Sequence, residues 1–310
     1  MEIGKVLEIW RYPVKSMGGE RLERALVGAR GITGDRGWAI RDEVAGEIRG
    51  AKHFPLLMQC SARYREEPKE NQDVPAVEMT FPDGSCVGSD EPDVNDRLSA
   101  LLNKKVSLWP LQPIGNKSHY KRAQPGAFLI GKLTHLQLVR RHFGSLLRLG
   151  GLETATREMF GREPGEPLPD FSQMPAEIFE FTSPPGTYFD LASIHLLTTA
   201  SLAAMKQLNP TAAWDARRFR PNFLIQTSDN LIGLVEAVWS GRVLSLGELQ
   251  LKCEIPTVRC GMTIHAQAEL PKDPSVLRTI VREANQNLGI YASSLNLCEV
   301  NAGDQVVLKQ

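Results

Sequence analysis

The first 110 residues are cut into short β-forming stretches, and this feature most limits what the chain can become. Ile3 to Tyr12, Leu22 to Val27, Trp38 to Arg41, Leu57 to Tyr64, Ala76 to Phe81 and Val106 to Pro110 alternate or concentrate β-type residues. Gly18-Gly19, Gly31, Gly34 and Pro82-Asp83-Gly84 separate them, and glycine and proline are the residues that punctuate a chain with turns. Many short strands with frequent turns point to a β-barrel or sandwich. One helix interrupts them: Asp93 to Leu102 follows Pro92, carries Val94, Leu98, Leu101 and Leu102, and stops near Asn103.

Residues 112 to 186 are rich in proline, with an apolar strand-like run at Leu133 to Val139 and a helical stretch at Leu152 to Phe160. This part reads as a connection between domains with irregular structure covering a site. Beyond Ser193 the pattern predicts a helix over Thr199 to Leu208 and a strand over Phe223 to Gln226. A hairpin of Val243 to Leu246 and Leu249 to Cys253 turns at Gly247-Glu248. An amphipathic helix covers Pro274 to Asn287, and a strand covers Val306 to Leu308. The expected fold is mainly β, a β-barrel with several helices, in two domains: residues 1–112, and residues 113–310 with the Pro-rich connection at about 113–186.

A hydrophobic fraction of 42% is enough to build cores. Lys plus Arg equals Asp plus Glu, 36 against 36, so no whole-chain field favours nucleic acid or an anionic membrane. No apolar run is long enough to span a bilayer, and no secretory signal pattern opens the chain. The expectation is a cytoplasmic protein that engages neither nucleic acid nor membrane. Five cysteines, Cys60, Cys86, Cys253, Cys260 and Cys298, form no disulfide framework and no Cys-x2-Cys pair.

Four segments carry chemistry. Tyr12-Pro13-Val14-Lys15-Ser16 ends a strand at proline and presents a lysine and a hydroxyl beside Gly18-Gly19, which suits a phosphate and equally a solvated turn. Arg217-Arg218-Phe219-Arg220-Pro221-Asn222 packs three arginines into four residues before a strand, and guanidinium groups clamp phosphate or carboxylate bidentately. Gly34-Asp35-Arg36-Gly37 holds a glycine-flanked arginine, by itself a structural pair. Arg259-Cys260 sets a thiol directly after a cation, which favours the thiolate. Pro256 is expected to end the strand before it, so Cys260 falls on a loop leaving a sheet. No histidine stands in motif relation to Cys260, so a nucleophile lacks its base. A lone thiolate completing the coordination of a soft metal carried by an anionic cofactor fits better; a buried core cysteine is the plain alternative.

Together these segments resemble the MOSC superfamily, in the arrangement with an N-terminal MOSC β-barrel domain found in the amidoxime-reducing component and its bacterial relatives. The anchors are Tyr12 to Ser16, Asp35 to Trp38, Phe219 to Asn222, Arg259-Cys260, Gly289-Ile290-Tyr291 and Gly303 to Val306. The resemblance implies a molybdenum cofactor of the Mo-molybdopterin type. Lys15, Ser16, Arg36, Arg218, Arg220 and Asn222 would hold its phosphate and pterin, with Arg259 and Tyr291 beside it. Cys260 would be the metal's thiolate ligand, and Asp190 an acidic group near the metal. At family level it also implies an association with pyridoxal phosphate.

The implied activity is reduction of N-hydroxylated or N-oxygenated small molecules. An appended ferredoxin domain is not expected, so electrons are expected from a separate donor of ferredoxin or flavoprotein type. Met262 to Pro271 departs from the amidoxime reducers on the substrate side. Two other functions stay open: sulfur transfer through a Cys260 persulfide, and non-catalytic carriage of the cofactor.

Overall fold

The computed structural model describes residues 1–123, 152–170 and 177–309. The predicted strand at Leu133 to Val139 lies outside them. The chain opens with β1 (Glu2–Arg11), β2 (Glu20–Leu22), β3 (Arg24–Gly28), β4 (Gly31–Ile32), β5 (Trp38–Asp42) and β6 (Glu47–Arg49). It continues through β7 (Ser61–Tyr64), β8 (Val77–Thr80), β9 (Cys86–Gly88), α1 (Val94–Leu102), β10 (Val106–Pro110) and α2 (Lys117–Tyr120). Then come α3 (Leu152–Phe160), α4 (Glu177–Glu180), β11 (Ile194–Thr198), α5 (Thr199–Leu208), β12 (Phe223–Thr227), β13 (Val243–Leu246) and β14 (Leu249–Val258). The last elements are α6 (Pro274–Glu283), β15 (Asn287–Ser294), β16 (Cys298–Asn301) and β17 (Gln305–Leu308).

Seven strands close a barrel in the order β12-β11-β15-β14-β13-β17-β1, with β1 returning to β12. The expected β-barrel with helices is the observed fold. Every pair is antiparallel except β11–β12, where α5 lies in the crossover that a parallel pair demands. Its start is capped by Thr198, whose hydroxyl accepts from the Ser201 N–H. β1 pairs Ile9 with Phe223 and Glu2 with Val307, so the first strand of the sequence joins strands some 200 to 300 residues later. Gly4 makes this possible: a Cβ there would sit 1.9 Å from the Gln226 carbonyl oxygen. The interior is apolar throughout, with Ile3, Val6 and Ile9 of β1 packed among Leu244, Leu251, Ile290 and Val306.

A second core gathers Val14, Met17, Ile40, Leu57, Val77, Met79 and Leu98 under the sheets β10-β5-β6 and β7-β8-β9. A third sits where α5 and α6 pack on the barrel through Leu197, Met205, Phe219, Val276 and Ile280.

Four predicted boundaries shift. The helix of Pro274 to Asn287 ends at Glu283, Asn285 and Gln286 turn with positive φ, and Asn287 opens β15. Leu22 to Val27 breaks at Glu23 into β2 and β3, because β2 pairs with β1 while β3 pairs with β16. Leu57 to Tyr64 begins as a 3-10 turn over Pro55–Gln59, since Pro55 pre-sets the helical φ of its first position. Pro256 does not end its strand. β14 runs on to Val258 with register shifts on either side of Pro256, and a bulge is where a ladder tolerates a residue without an N–H.

Candidate functional site

One pocket brings together segments far apart in sequence. β1 leads into Pro13–Met17, β11 follows Asp190, β12 follows Arg220, and β14 leads into Arg259-Cys260. Tyr291 of β15 pairs with His195 of β11. Lys15, Ser16, Arg36, Asp190, Arg218, Arg220, Asn222, Arg259, Cys260 and Tyr291 all line a single pocket of about 720 Å³, part of it open to solvent. Every residue that the sequence reading singled out as a site candidate is thus in one place. Among the described residues no three His, Cys, Asp or Glu side chains cluster as a metal site of their own.

The backbone is bent to achieve this. Ser16, Arg36 and Arg220 hold left-handed conformations, with φ of 71°, 51° and 53°. Such conformations cost a non-glycine residue on the order of 1–2 kcal/mol, and strain of this kind concentrates where function over-determines the geometry. Asp35 anchors the cluster. Its carboxylate accepts from the Tyr12 N–H at 2.7 Å, from Asn222 Nδ2 at 2.8 Å and from Arg36 Nη1. The Arg36 and Arg220 guanidinium groups lie 4.8 and 4.1 Å from the centre of the Tyr12 ring, close enough for cation–π attraction.

The polar side chains are used in two ways. Some are committed to the protein. Arg218 is 1% exposed and donates to the carbonyls of Ala213, His265 and Pro271 at 2.9, 3.1 and 2.7 Å. Asn222 ties strands together, donating to Trp10 O and Asp35 and accepting from the His195 N–H at 3.1 Å. Ser16 Oγ accepts from the Ala51 N–H at 2.9 Å. Lys15 Nζ donates to Asp190 Oδ1 at 2.6 Å and Tyr188 O at 2.7 Å.

Others keep donors in reserve. Arg220 gives Nη1 to the Met17 carbonyl, yet its Nη2 is buried without a partner. Arg259 gives Nη2 to Phe219 O at 2.8 Å, and its Nε is likewise buried and unpartnered. A buried donor left unmade costs about 1–3 kcal/mol, more for a charged group, so two in one pocket mark where an acceptor belongs.

Burial sets the charge states. It pushes the Arg220 guanidinium down to about 10, with Arg36 adding repulsion, and it raises the Tyr291 phenol to about 12. Burial also raises the Asp190 carboxyl, but Lys15, then Lys52 and Arg36, outweigh it and hold the group below the usual carboxylate range.

Cys260 is half-buried and unpaired. It precedes the 3-10 turn Gly261–Ile264, and its carbonyl accepts from the Thr263 hydroxyl at 3.0 Å. Arg162, just after α3, donates to the Arg259 carbonyl at 2.9 Å and to Gln286 Oε1 at 3.1 Å, so the Pro-rich connection buttresses the thiol's neighbour.

Model profiles of known families match both halves: the MOSC N-terminal beta barrel domain over residues 3–105 and the MOSC domain over residues 185–307. The chain belongs to the MOSC family. MOSC domains generally bind a molybdenum cofactor. No curated protein sequence matches the chain. Among solved structures it is similar to the YuaD protein of Bacillus subtilis, with 18% identity over 39% of this chain and 65% of that one, at a TM-score of 0.31. It is also similar to YiiM of Geobacillus stearothermophilus (16% identity, 38% and 55%, TM-score 0.28) and YiiM of Escherichia coli (16%, 38% and 55%, TM-score 0.30). The chain therefore spans between half and two thirds of those proteins, and at such TM-scores they carry no argument about the site. No helix among the described residues is long and apolar enough to cross a membrane.

The MOSC pocket also holds residues that the sequence did not single out. His195 is buried, its Nδ1 3.4 Å from Arg220 O and its Nε2 3.4 Å from Arg259 Nη1. Burial, then the Arg259 charge, lowers it well below its ordinary value, so it is a neutral imidazole. Its ring needs Gly289 beside it, where a Cβ would approach Nε2 to 2.2 Å. Phe189, Phe219 and Met262 supply apolar wall. The available signal for His195 was its place next to Ile194 at the start of a strand, five residues after Asp190.

Proposed function

We propose that the chain is a molybdenum-cofactor-binding oxidoreductase that reduces N-hydroxylated or N-oxygenated compounds with electrons from a separate donor protein of ferredoxin or flavoprotein type. One observation carries this reading: Arg220 and Arg259, each with a buried guanidinium nitrogen that has no partner, line the same pocket as an unpaired, half-buried thiol. That donor set fits a phosphate-bearing group with a thiophilic metal.

Arg220 and Arg259 would supply the unmade hydrogen bonds to the cofactor's anionic end, with Arg36 and the Ser16 hydroxyl beside them. Cys260 would give its thiolate to the metal, as soft metals prefer. Bound there, the cofactor would supply the redox chemistry, and the protein its ligand, orientation and access. Asp190 is the positioning group of this reading. Its side chain is 55% exposed into the pocket, and as an anion it would accept a hydrogen bond from a substrate N–OH. Phe189, Phe219 and Met262 would keep bulk water from the reacting face.

The test is elemental analysis of freshly purified protein together with turnover of an N-hydroxylated amidine. Wild type is expected to carry stoichiometric molybdenum and to reduce the substrate when a donor is supplied. Cys260→Ser is expected to retain the fold by circular dichroism and lose reduction. Full reduction by Cys260→Ser with cofactor present would sink the ligand role. A persulfide on Cys260 in molybdenum-free protein would favour sulfur transfer instead.

A further inference from the structure

Family resemblance assigns Lys15 to the cofactor's phosphate; its bonds point elsewhere. An ammonium group has three N–H donors and no acceptor. Lys15 Nζ meets Asp190 Oδ1 at 2.6 Å, Tyr188 O at 2.7 Å and Ser183 Oγ at 3.3 Å. Three donors meet three acceptors, all on the one segment 183–190. The lysine side chain is 11% exposed and the Asp190 side chain 55%. What the pocket meets is the carboxylate, with the ammonium behind it.

We infer that Lys15 is a positioning residue for Asp190: it pins segment 183–190 and holds the Asp190 carboxylate in place as an anion, while the phosphate-type ligand is left to Arg220 and Arg259. The contrast is in the donors, since those two arginines each keep a buried nitrogen without a partner and Lys15 keeps none. Other charges bear on Asp190 as well. Lys52 and Arg36 lower its carboxyl alongside Lys15, while Asp190 in turn acts on Arg122, Arg220 and Tyr291. Removing Lys15 therefore weakens the hold on the carboxylate without abolishing it, and Asp190 takes up a proton at higher pH.

The inference rests on the proposed cofactor reading only where a phosphate ligand is invoked, and the experiment separates the two. Protein labelled with carbon-13 at aspartate carboxyls is titrated by NMR, with Asp190→Asn identifying the resonance. Lys15→Met is expected to move the Asp190 midpoint up by about one pH unit, and Lys15→Arg to restore most of it. In the loaded enzyme, Lys15→Met is expected to move the acid limb of the kcat/KM profile in the same direction. An unchanged Asp190 midpoint in Lys15→Met overturns the inference.

A second measurement uses wild-type protein, so it does not depend on a variant folding. On adding inorganic phosphate, the Arg220 and Arg259 Nε resonances are expected to shift and the Lys15 side-chain resonance to stay. A Lys15 shift as large as that of the arginines overturns the assignment. No arginine shift at saturating phosphate would sink the proposed anion site and leave the carboxyl titration to decide the role of Lys15.

Discussion

The two walls of the pocket use their polar groups differently. The wall from residues 12–38 is settled within the protein: Lys15 on Asp190, Ser16 on the Ala51 N–H, Arg36 on Asp35. The wall from residues 220–260 carries the two arginines with a guanidinium nitrogen lacking an acceptor and the half-buried thiol. The first wall builds the cavity and the second leaves bonds to be made in it. The contrast holds even within three residues, because Arg218 spends itself on three carbonyls while Arg220 does not. A dense arginine run is therefore two kinds of residue, and proximity in sequence does not reveal which is which.

The contrast can be broken most forcefully at Arg218. Arg218→Met strands three carbonyls in a buried place and is expected to lower the unfolding free energy by about 3 kcal/mol or more. Denaturant unfolding measures this, and a loss under ~1 kcal/mol would mean that Arg218 does not hold the fold. Next comes the pair with bonds in reserve. Arg220→Met and Arg259→Met are each expected to weaken inorganic phosphate binding by roughly tenfold or more, with much smaller stability losses than Arg218→Met. Equal stability losses at Arg218 and Arg220 would erase the distinction between them.

The smallest effect is a pH slope. His195 is neutral when folded and has its ordinary affinity for a proton when unfolded, so the unfolded state binds more protons as pH falls below about 6.5. Stability therefore declines as pH drops through that region. His195→Gln removes this term, and its melting temperature should fall less between pH 7 and pH 5 than that of wild type. Parallel declines would count against a neutral buried imidazole. Asp190 acts lower down: its carboxyl is held below the usual range, so its contribution is present above about pH 4 and is lost as pH falls further.

Much of the site was legible because it is written in residue types that turns and anions demand. Lys15-Ser16, Arg36, the Arg218 to Asn222 run and Arg259-Cys260 are polar groups beside glycine or proline, at the ends of strands. His195 was not legible: the sequence analysis assigns no strand to Ile194–Thr198, and the histidine stands in no motif. The different jobs of Arg218 and Arg220 were hidden too: they depend on carbonyls at Ala213, His265 and Pro271, and only tertiary structure brings two of those close.

A mainly β fold was announced by short strands and frequent turns in the first 110 residues, but only β1 of those strands enters the closed barrel. Its closure was not announced, because β1 finds its partners at Phe223–Thr227 and Gln305–Leu308, and pairing over such separations leaves no local pattern. Pro256 misled for a related reason: a proline stops a regular ladder, but β14 absorbs it between two register shifts.

That closure has a consequence for how the protein comes to exist. β1 leaves the ribosome some 300 residues before β17, and its edge at Glu2–Lys5 has no partner until residues 305–308 follow. At ~5–20 residues per second, roughly 15 to 60 s of synthesis separates the two. Throughout that interval Ile3, Val6 and Ile9 have no barrel to enter and an unpaired strand edge stands open, the kind of edge that recruits other chains. The pocket, which is built on that barrel, is accordingly among the last parts of the molecule to take shape.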